Sequence, residues 1–561
     1  MKPGFDKSRQ LVQQLQAVSL QRGYENNLLI KKLLRQLTAS SSINPKDFPS
    51  YHNSLLSILA HPENNETHKL ATEALDNLQK KVAAIFAGTN HRKKSMLTGS
   101  GIAGSIITGS FSYSIALWLT KNFPEETEID SNSTDAETIR LFFRQIFPRT
   151  EYEIISAGRL PLLSRIKRMK GKKPGSALSW LLQHLDASGL PERTKEYLFH
   201  SLGIFVRWKI NRLFYNNVSL QGIKRQIFYH KEIKRTAKIG DLVIKEIPPP
   251  KKLSADEREQ LIAAACSTLI FLHRETEPFT YADGKEIACF ELERGLSIVL
   301  YGMDPERRLS LESYAGYLAL KNGIPVAYGG GWIFGTRCQF GINILPAFRG
   351  AESAILFGNL LRIFKQRFDI RCFAVKPYQF GKNNPEALQS GAFWFYYKHG
   401  FRPEDIRLQQ IADEEWKKKT VDKNYHSPPG LLRKFTGSNL VLHLSKDFFP
   451  DFDAAKISIA ITDYINKNYN GDRSIAKVDC LQKTKSALSI KDFSKWNSYE
   501  KKALQEWSFL SQACLDLASW NSRDKKKLAS LIKAKGNGPE LNFIKLLQSH
   551  QRLWKDLSII F

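Results

Sequence analysis

At 561 residues the chain is too long for one compact core, so three or four structural units are expected. Its 42% hydrophobic and 25% charged content is ordinary for a soluble globular protein and excludes a disordered or fibrous chain. The net charge of +28 is not ordinary: it favours an anionic partner (RNA, DNA, a lipid surface, an acidic small molecule) or marks a lysine-rich solvated surface.

Residues 1–95 read as a helical region. Leu11, Leu15 and Val18 fall at helical spacing, as do Ile30, Leu33, Leu34 and Leu37, with a polar break over Ser40 to Pro49. Residues 96–247 form a second helical region. It opens on an uncharged stretch, Met96 to Leu119, long enough to cross a bilayer but rich in Gly, Ser and Thr. A buried loop entering a helix at Phe111 is expected there, and no membrane span. Gly99, Gly101 and Gly104 match a dinucleotide fingerprint. No strand precedes them, so a structural turn is expected. Ile139, Phe142, Phe143 and Ile146 continue the helical pattern. Two basic stretches follow, Lys167 to Lys173 and Lys224 to Lys238. The second carries Phe228 and Tyr229 and is a candidate for nucleic-acid contact by phosphate pairing and base stacking, or else an amphipathic helix with a solvated face.

Pro248-Pro249-Pro250 marks a boundary. Ser254 and Glu257 have capping-box spacing and open an apolar helix. Ile287 to Tyr301 reads as strands broken near Arg294-Gly295. Tyr314 to Leu320, a Lys321-Asn322-Gly323 turn, Pro325 to Phe334 and Arg337 to Leu345 read as successive strands. Gly329, Gly330 and Gly331 suggest a bulge or the close approach of another backbone. A helix to about Phe368, a strand at Arg371 to Lys376, a helix from Asn384-Pro385 and a strand at Leu440 to Leu444 complete residues 252–445. Residues 454–561 are helical, with Trp496, Trp507, Trp520 and Trp554 as core anchors. The fold class expected is α+β: a mixed sheet flanked by helices in the middle, and mostly helical ends.

Six cysteines lie scattered at 266, 289, 338, 372, 480 and 514 without C-x-x-C spacing. Neither zinc nor disulfides are expected, and no metal site. Met1 to Gln10 has no apolar core of a secretory signal, so a cytoplasmic location is expected.

The segment Pro325 to Pro403 resembles the core of the GNAT superfamily of N-acetyltransferases. The resemblance rests on the order of its elements, on Arg349-Gly350-Ala351-Glu352-Ser353-Ala354 against the family pattern Q/R-x-x-G-x-G/A, and on Gln389, Ala392, Tyr396, Gly400 and Phe401 against N-x-x-A-x-x-x-Y-x-x-x-G-F. It implies acyl transfer from acetyl-CoA or another acyl-CoA to an unidentified acceptor. The family fold places a bulged strand beside the acyl group, here Arg337 to Leu345. Backbone N–H groups of Arg349, Gly350, Ala351, Ser353 and Ala354 would cradle the pyrophosphate at a helix N-terminus. Gln389 stands where the family has Asn. Tyr396 would protonate the leaving thiolate. Glu312, Glu352 and His399 are candidate bases by position.

Glu352 departs from the pattern by replacing the central glycine. A carboxylate about 6 Å from a phosphate charge costs roughly 2–3 kcal/mol at an effective dielectric near 20. It is expected to cap the helix, turn away, or pair with Arg349 or Arg362. Two other readings stay open: a non-catalytic protein binding nucleic acid or another protein, and aminoacyl transfer from charged tRNA. An open V between the strands at Trp332 and Phe340 would favour the enzyme, and a filled one the binding protein.

Overall fold

The structure is a computed structural model that describes residues 3–40, 43–151, 160–210, 226–422, 424–445 and 454–560. It is α+β, and its residues fall into two compact units. The first comprises Met1–Ile233, Ser254–Thr280 and Lys321–Pro325; the second comprises Lys234–Leu253, Tyr281–Leu320 and Val326–Phe561. The C-terminal helices therefore share a unit with the larger sheet.

The first unit begins with helices Pro3–Val18, Tyr24–Ala39, Phe48–Ala60 and Asn65–Ala87. They form because apolar residues recur along one face, and the side chain of Asn64 caps the last by accepting from Thr67 N–H. The uncharged stretch after Met96 holds no span, and no described helix is long and apolar enough to cross a membrane. Instead a loop leads into β1 (Ile106–Gly109). Gly99, Gly101 and Gly104 all adopt positive φ. A Cβ on Gly104 would stand 2.7 Å from the Ala83 backbone nitrogen, so this glycine lets the loop lie against the fourth helix. The loop precedes a strand instead of following one, which removes the dinucleotide geometry.

β1 belongs to a small antiparallel sheet with β2 (Thr127–Asn132) and β3 (Ile204–Lys209), in the order β1-β3-β2. This sheet is absent from the sequence reading, which treats the whole region as helical. β3 carries the missed signal: Ile204, Val206 and Trp208 point into the core while Phe205, Arg207 and Lys209 point away. Of the basic stretches, Lys224 and Arg225 lie outside the described residues. Phe228 and Tyr229 are part-exposed on irregular chain, so that segment is not the amphipathic helix considered above.

The second unit is built on an eight-stranded sheet. In chain order its strands are β4 (Ala288–Glu291), β5 (Leu296–Tyr301), β6 (Ser313–Lys321), β7 (Ile324–Phe334), β8 (Arg337–Ile344), β9 (Cys372–Val375), β10 (Arg402–Pro403) and β11 (Leu440–His443). The spatial order is β10-β11-β9-β8-β7-β6-β5-β4. Pairing is antiparallel at β4–β5, β7–β8, β9–β11 and β10–β11, and parallel at β8–β9, so the sheet is mixed.

The register of β7 on β8 runs without interruption from Ala327↔Ile344 to Phe334↔Arg337, so the expected bulge is absent there. The three glycines instead allow close approach, the other alternative that the sequence offers. A Cβ on Gly329 would meet the Gly341 carbonyl oxygen at 2.2 Å and the Tyr317 hydroxyl at 2.5 Å; on Gly330, the Tyr314 ring; on Gly331, Cys338 and the Phe364 ring. Tyr317, Tyr314 and Phe364 occupy space that side chains on this strand would need.

The C-terminal helices grip the opposite end of this sheet. Trp507 Nε1 donates to the Ser310 carbonyl at 2.9 Å, and Ser313 Oγ donates to Glu540 at 2.6 Å. The ring of Trp554 sits over Gly335, and Gln548 donates to the carbonyls of Gly335 and Phe368 at 2.9 and 2.7 Å. Trp507, Trp520 and Trp554 are buried as expected, while Trp496 is half-buried. All six cysteines are free, five of them buried and Cys372 partly so.

Candidate functional site

The element that organises the site is the contact between β8 and β9. They pair in parallel over Arg337↔Cys372, Cys338↔Phe373 and Gln339↔Ala374 only. β8 then continues alone through Phe340–Ile344, still paired to β7 on its other side. The strands thus part after Gln339, and one edge of β8 is left without a strand partner among the described residues. The strands at Trp332 and Phe340 are fully paired to one another, so the V expected there is absent; β8 and β9 are the strands that part. Gln379, from the turn Pro377–Phe380, stands alongside Gly341, its amide nitrogen 3.1 Å from where a Cβ would be.

Behind the parting strands the wall is aromatic. Tyr317 reaches from β6 across Gly329 and donates to the Gly341 carbonyl at 2.9 Å. Tyr396, on the helix Ala392–Lys398, is buried among Phe357, Phe395 and Phe401. Burial pushes Tyr317 well above the usual phenol range, and the neighbouring Tyr396 phenol adds to the effect. Burial also raises Tyr396, so it keeps its proton throughout the physiological range. The adjacent Tyr397 points elsewhere. Its hydroxyl donates to Asp413, and the Arg402 guanidinium lies 3.9 Å from its ring centre. The helix expected from Pro385 to beyond Tyr396 is in fact two, Pro385–Gln389 and Ala392–Lys398, separated by Gly391 in the left-handed region.

The segment Arg349–Ala354 closes the turn after β8 and enters the helix Ser353–Phe368. Gly350 adopts φ +77 with open space around it, while Ala351 and Ala354 are buried. The Ser353 hydroxyl is buried without a hydrogen-bond partner. Arg349 pairs with Glu386 at 2.6 Å and donates to the Ile344 carbonyl at 3.3 Å, which ties this turn to the helix Pro385–Gln389.

Glu352 occupies the N-cap position, yet its side chain makes no capping bond. It is buried, and it accepts from Arg294 Nε at 2.9 Å and from Lys234 N–H at 3.2 Å. The partners expected for it are engaged elsewhere: Arg349 as above, and Arg362 with Glu293 at 3.1 Å and the Lys245 carbonyl at 2.8 Å. Arg294, in a left-handed turn between β4 and β5, carried no signal in the sequence that linked it to a residue 58 positions away.

The other candidates separate clearly. Glu312 precedes β6 at the end held by the C-terminal helices, and its backbone carbonyl accepts from the buried Lys535 at 2.9 Å. It stands five positions before Tyr317, about 16 Å along the strand at 3.3 Å per residue. His399 does lie close by, packed on Phe357 and Phe395. Its Nδ1 is 2.7 Å from the Phe395 carbonyl, which can only accept, so Nδ1 carries the proton and Nε2 the lone pair. Burial lowers its pKa, and it is neutral at neutral pH. Gln389 is exposed and lines a cavity of about 430 Å³.

No family model, curated protein or solved structure matches this chain.

Proposed function

We propose that the second unit transfers an acyl group from an acyl-coenzyme A directly to an amine acceptor, in the manner of the GNAT superfamily. The observation that carries this reading is the parting of β8 from β9 after three paired residues, with the buried Tyr396 phenol behind the gap. An unpaired strand edge offers N–H and C=O groups to an extended amide-bearing arm such as pantetheine. Arg349, Gly350, Ala351, Ser353 and Ala354 at the head of a 16-residue helix provide a cradle for the pyrophosphate. Glu352 does not oppose the anion, because Arg294 already balances its charge.

In this mechanism the acceptor nitrogen attacks the thioester carbonyl, the C–S bond breaks, and the thiolate takes the Tyr396 proton. The acceptor's own proton passes to a base. With Glu352 committed to Arg294 and Glu312 remote, His399 Nε2 is the group in place to take it.

Glu352 at the central position of the loop also supports a second reading, aminoacyl transfer from charged tRNA, in which no standard coenzyme A cradle is needed and the +28 charge has a partner. Calorimetric titration of the full chain with acetyl-CoA, longer acyl-CoAs and aminoacylated tRNA distinguishes the two. On the first reading acyl-CoA binds, and Tyr396→Phe lowers turnover about 10²- to 10⁴-fold with little change in affinity. Saturable binding of charged tRNA with none of acyl-CoA selects the second reading, and binding of neither discards both.

A further inference from the structure

Two helices are inserted between β10 and β11, Ile406–Val421 and Pro429–Phe435. Together with the helices Pro385–Gln389 and Ala392–Lys398 they enclose the cavity of about 430 Å³. That volume falls in the range of small-molecule sites, about 300–1,000 Å³. Leu388 and Leu432 supply apolar wall. Trp394 supplies an aromatic surface whose orientation is fixed: its Nε1 donates to Ser427 at 3.1 Å, and its ring stacks on Trp416.

The polar lining of the cavity is Lys419, His426, Gln389, Ser390 and Ser427, and no carboxylate lines it among the described residues. The Lys419 ammonium lies 5.7 Å from the Trp394 ring centre and gives one hydrogen bond, to the Tyr425 carbonyl at 3.1 Å. An ammonium has three protons, so donor capacity remains. Glu415 lies one turn back on the same helix, at the spacing of an i,i+4 ion pair. That carboxylate already accepts from Tyr425 at 2.7 Å, from Lys418 at 3.3 Å and from Ser427. The cavity therefore combines a fixed aromatic surface, apolar wall and a cation that makes no ion pair with an acid among the described residues.

We infer that this cavity binds a planar ring bearing an anionic group, a carboxylate or a phosphate. The ring packs against Trp394 and the apolar wall, and the anion meets Lys419 with His426 beside it. The inference does not rest on the acyl-transfer reading, because neither Tyr396 nor the β8–β9 opening enters it.

Ring-bearing anions come as aromatic acids or as nucleotides, and two probes separate them: indole-3-carboxylate and adenosine 3′,5′-bisphosphate. Each is titrated calorimetrically into the full chain at low and high salt. At least one should bind, and more weakly at high salt. Lys419→Met keeps the packing stem and should weaken that binding roughly tenfold to a hundredfold, the effect of losing a charged hydrogen bond. His426→Gln, at an exposed position, should weaken it about two- to tenfold. Binding of only one probe names the class. If neither probe binds at millimolar concentration, or if binding is unchanged in both variants, the site is rejected.

Discussion

Replacing Arg294 by methionine should loosen the start of the helix Ser353–Phe368 by about 3 kcal/mol. Removing one partner of a buried ion pair costs about 3–5 kcal/mol, because the other charge stays behind. The Glu352 side chain is 4% exposed but that of Arg294 is 17%, so water reaches the guanidinium and the lower figure applies. Lys234 N–H stays on the carboxylate and limits the loss further. Methionine keeps the aliphatic stem, and it bears the same left-handed backbone strain as arginine, so the change isolates the charge. Glu352→Gln should cost less, about 1.5 kcal/mol, since its amide oxygen still accepts from Arg294. The double variant should fall short of the sum by about 1.5–2 kcal/mol, the signature of direct coupling. Native-state hydrogen exchange of the helix amides reads this locally: 3 kcal/mol is about a hundredfold faster exchange. Strict additivity, or unchanged exchange in Arg294→Met, would show that the pair does not hold the helix entrance.

Gly329→Ala would force a Cβ to within 2.2 Å of a backbone carbonyl oxygen that cannot swing aside, so it should cost about 2–3 kcal/mol, seen as a lowered thermal midpoint. Tyr397→Phe should lose the bond to Asp413, about 1 kcal/mol of stability, and leave acyl transfer unchanged; a loss of turnover equal to that of Tyr396→Phe would refute the role given to Tyr396. Glu293 is held down to about 2: burial alone would raise it, but Lys245 and Arg362 override that. Its folded value lies below the ordinary 4.5, so its stabilisation is present above pH 4.5 and disappears as the pH falls towards 2. Stability–pH curves of the native chain and Glu293→Gln should therefore converge at the acid end. If the basic stretches at Lys167 to Lys173 and Lys224 to Lys238 contact nucleic acid, filter binding should weaken steeply between two salt concentrations, and absence of binding at low salt would eliminate that role.

The strands of the larger sheet were legible because each obeys a local rule. The Asn322-Gly323 turn takes positive φ at both residues, and the Arg294-Gly295 break does the same between β4 and β5. The Ser254/Glu257 capping box forms as its spacing predicts. β1 and β2 were not legible: four residues in a Gly/Ser-rich stretch and six mostly polar ones carry no periodic signal, and only their pairing with β3 makes them strands. The site shows the same division. Tyr396 and the loop at Arg349 are candidates through a family resemblance carried by one continuous segment. The Arg294–Glu352 pair and the Tyr317–Gly341 bond join distant segments, and a carboxylate in a glycine's place looks like a defect until its partner is seen. For Glu312, nothing in its sequence neighbours reveals that its backbone carbonyl accepts from Lys535 of the C-terminal helices.

The hold of Gln548 and Trp554 on the turn between β7 and β8 has a consequence for biosynthesis. Gly335 and Gln548 are 213 residues apart. At about 5–20 residues per second, a ribosome needs roughly 10–40 s to make the second after the first. During that interval the nascent sheet emerges with one end uncovered, its Phe334 ring lacking Trp554. Any truncation at residue 445 makes that exposure permanent. Such a fragment should be prone to aggregation and to chaperone capture, and a soluble version must run on through the helix Gln551–Ile560.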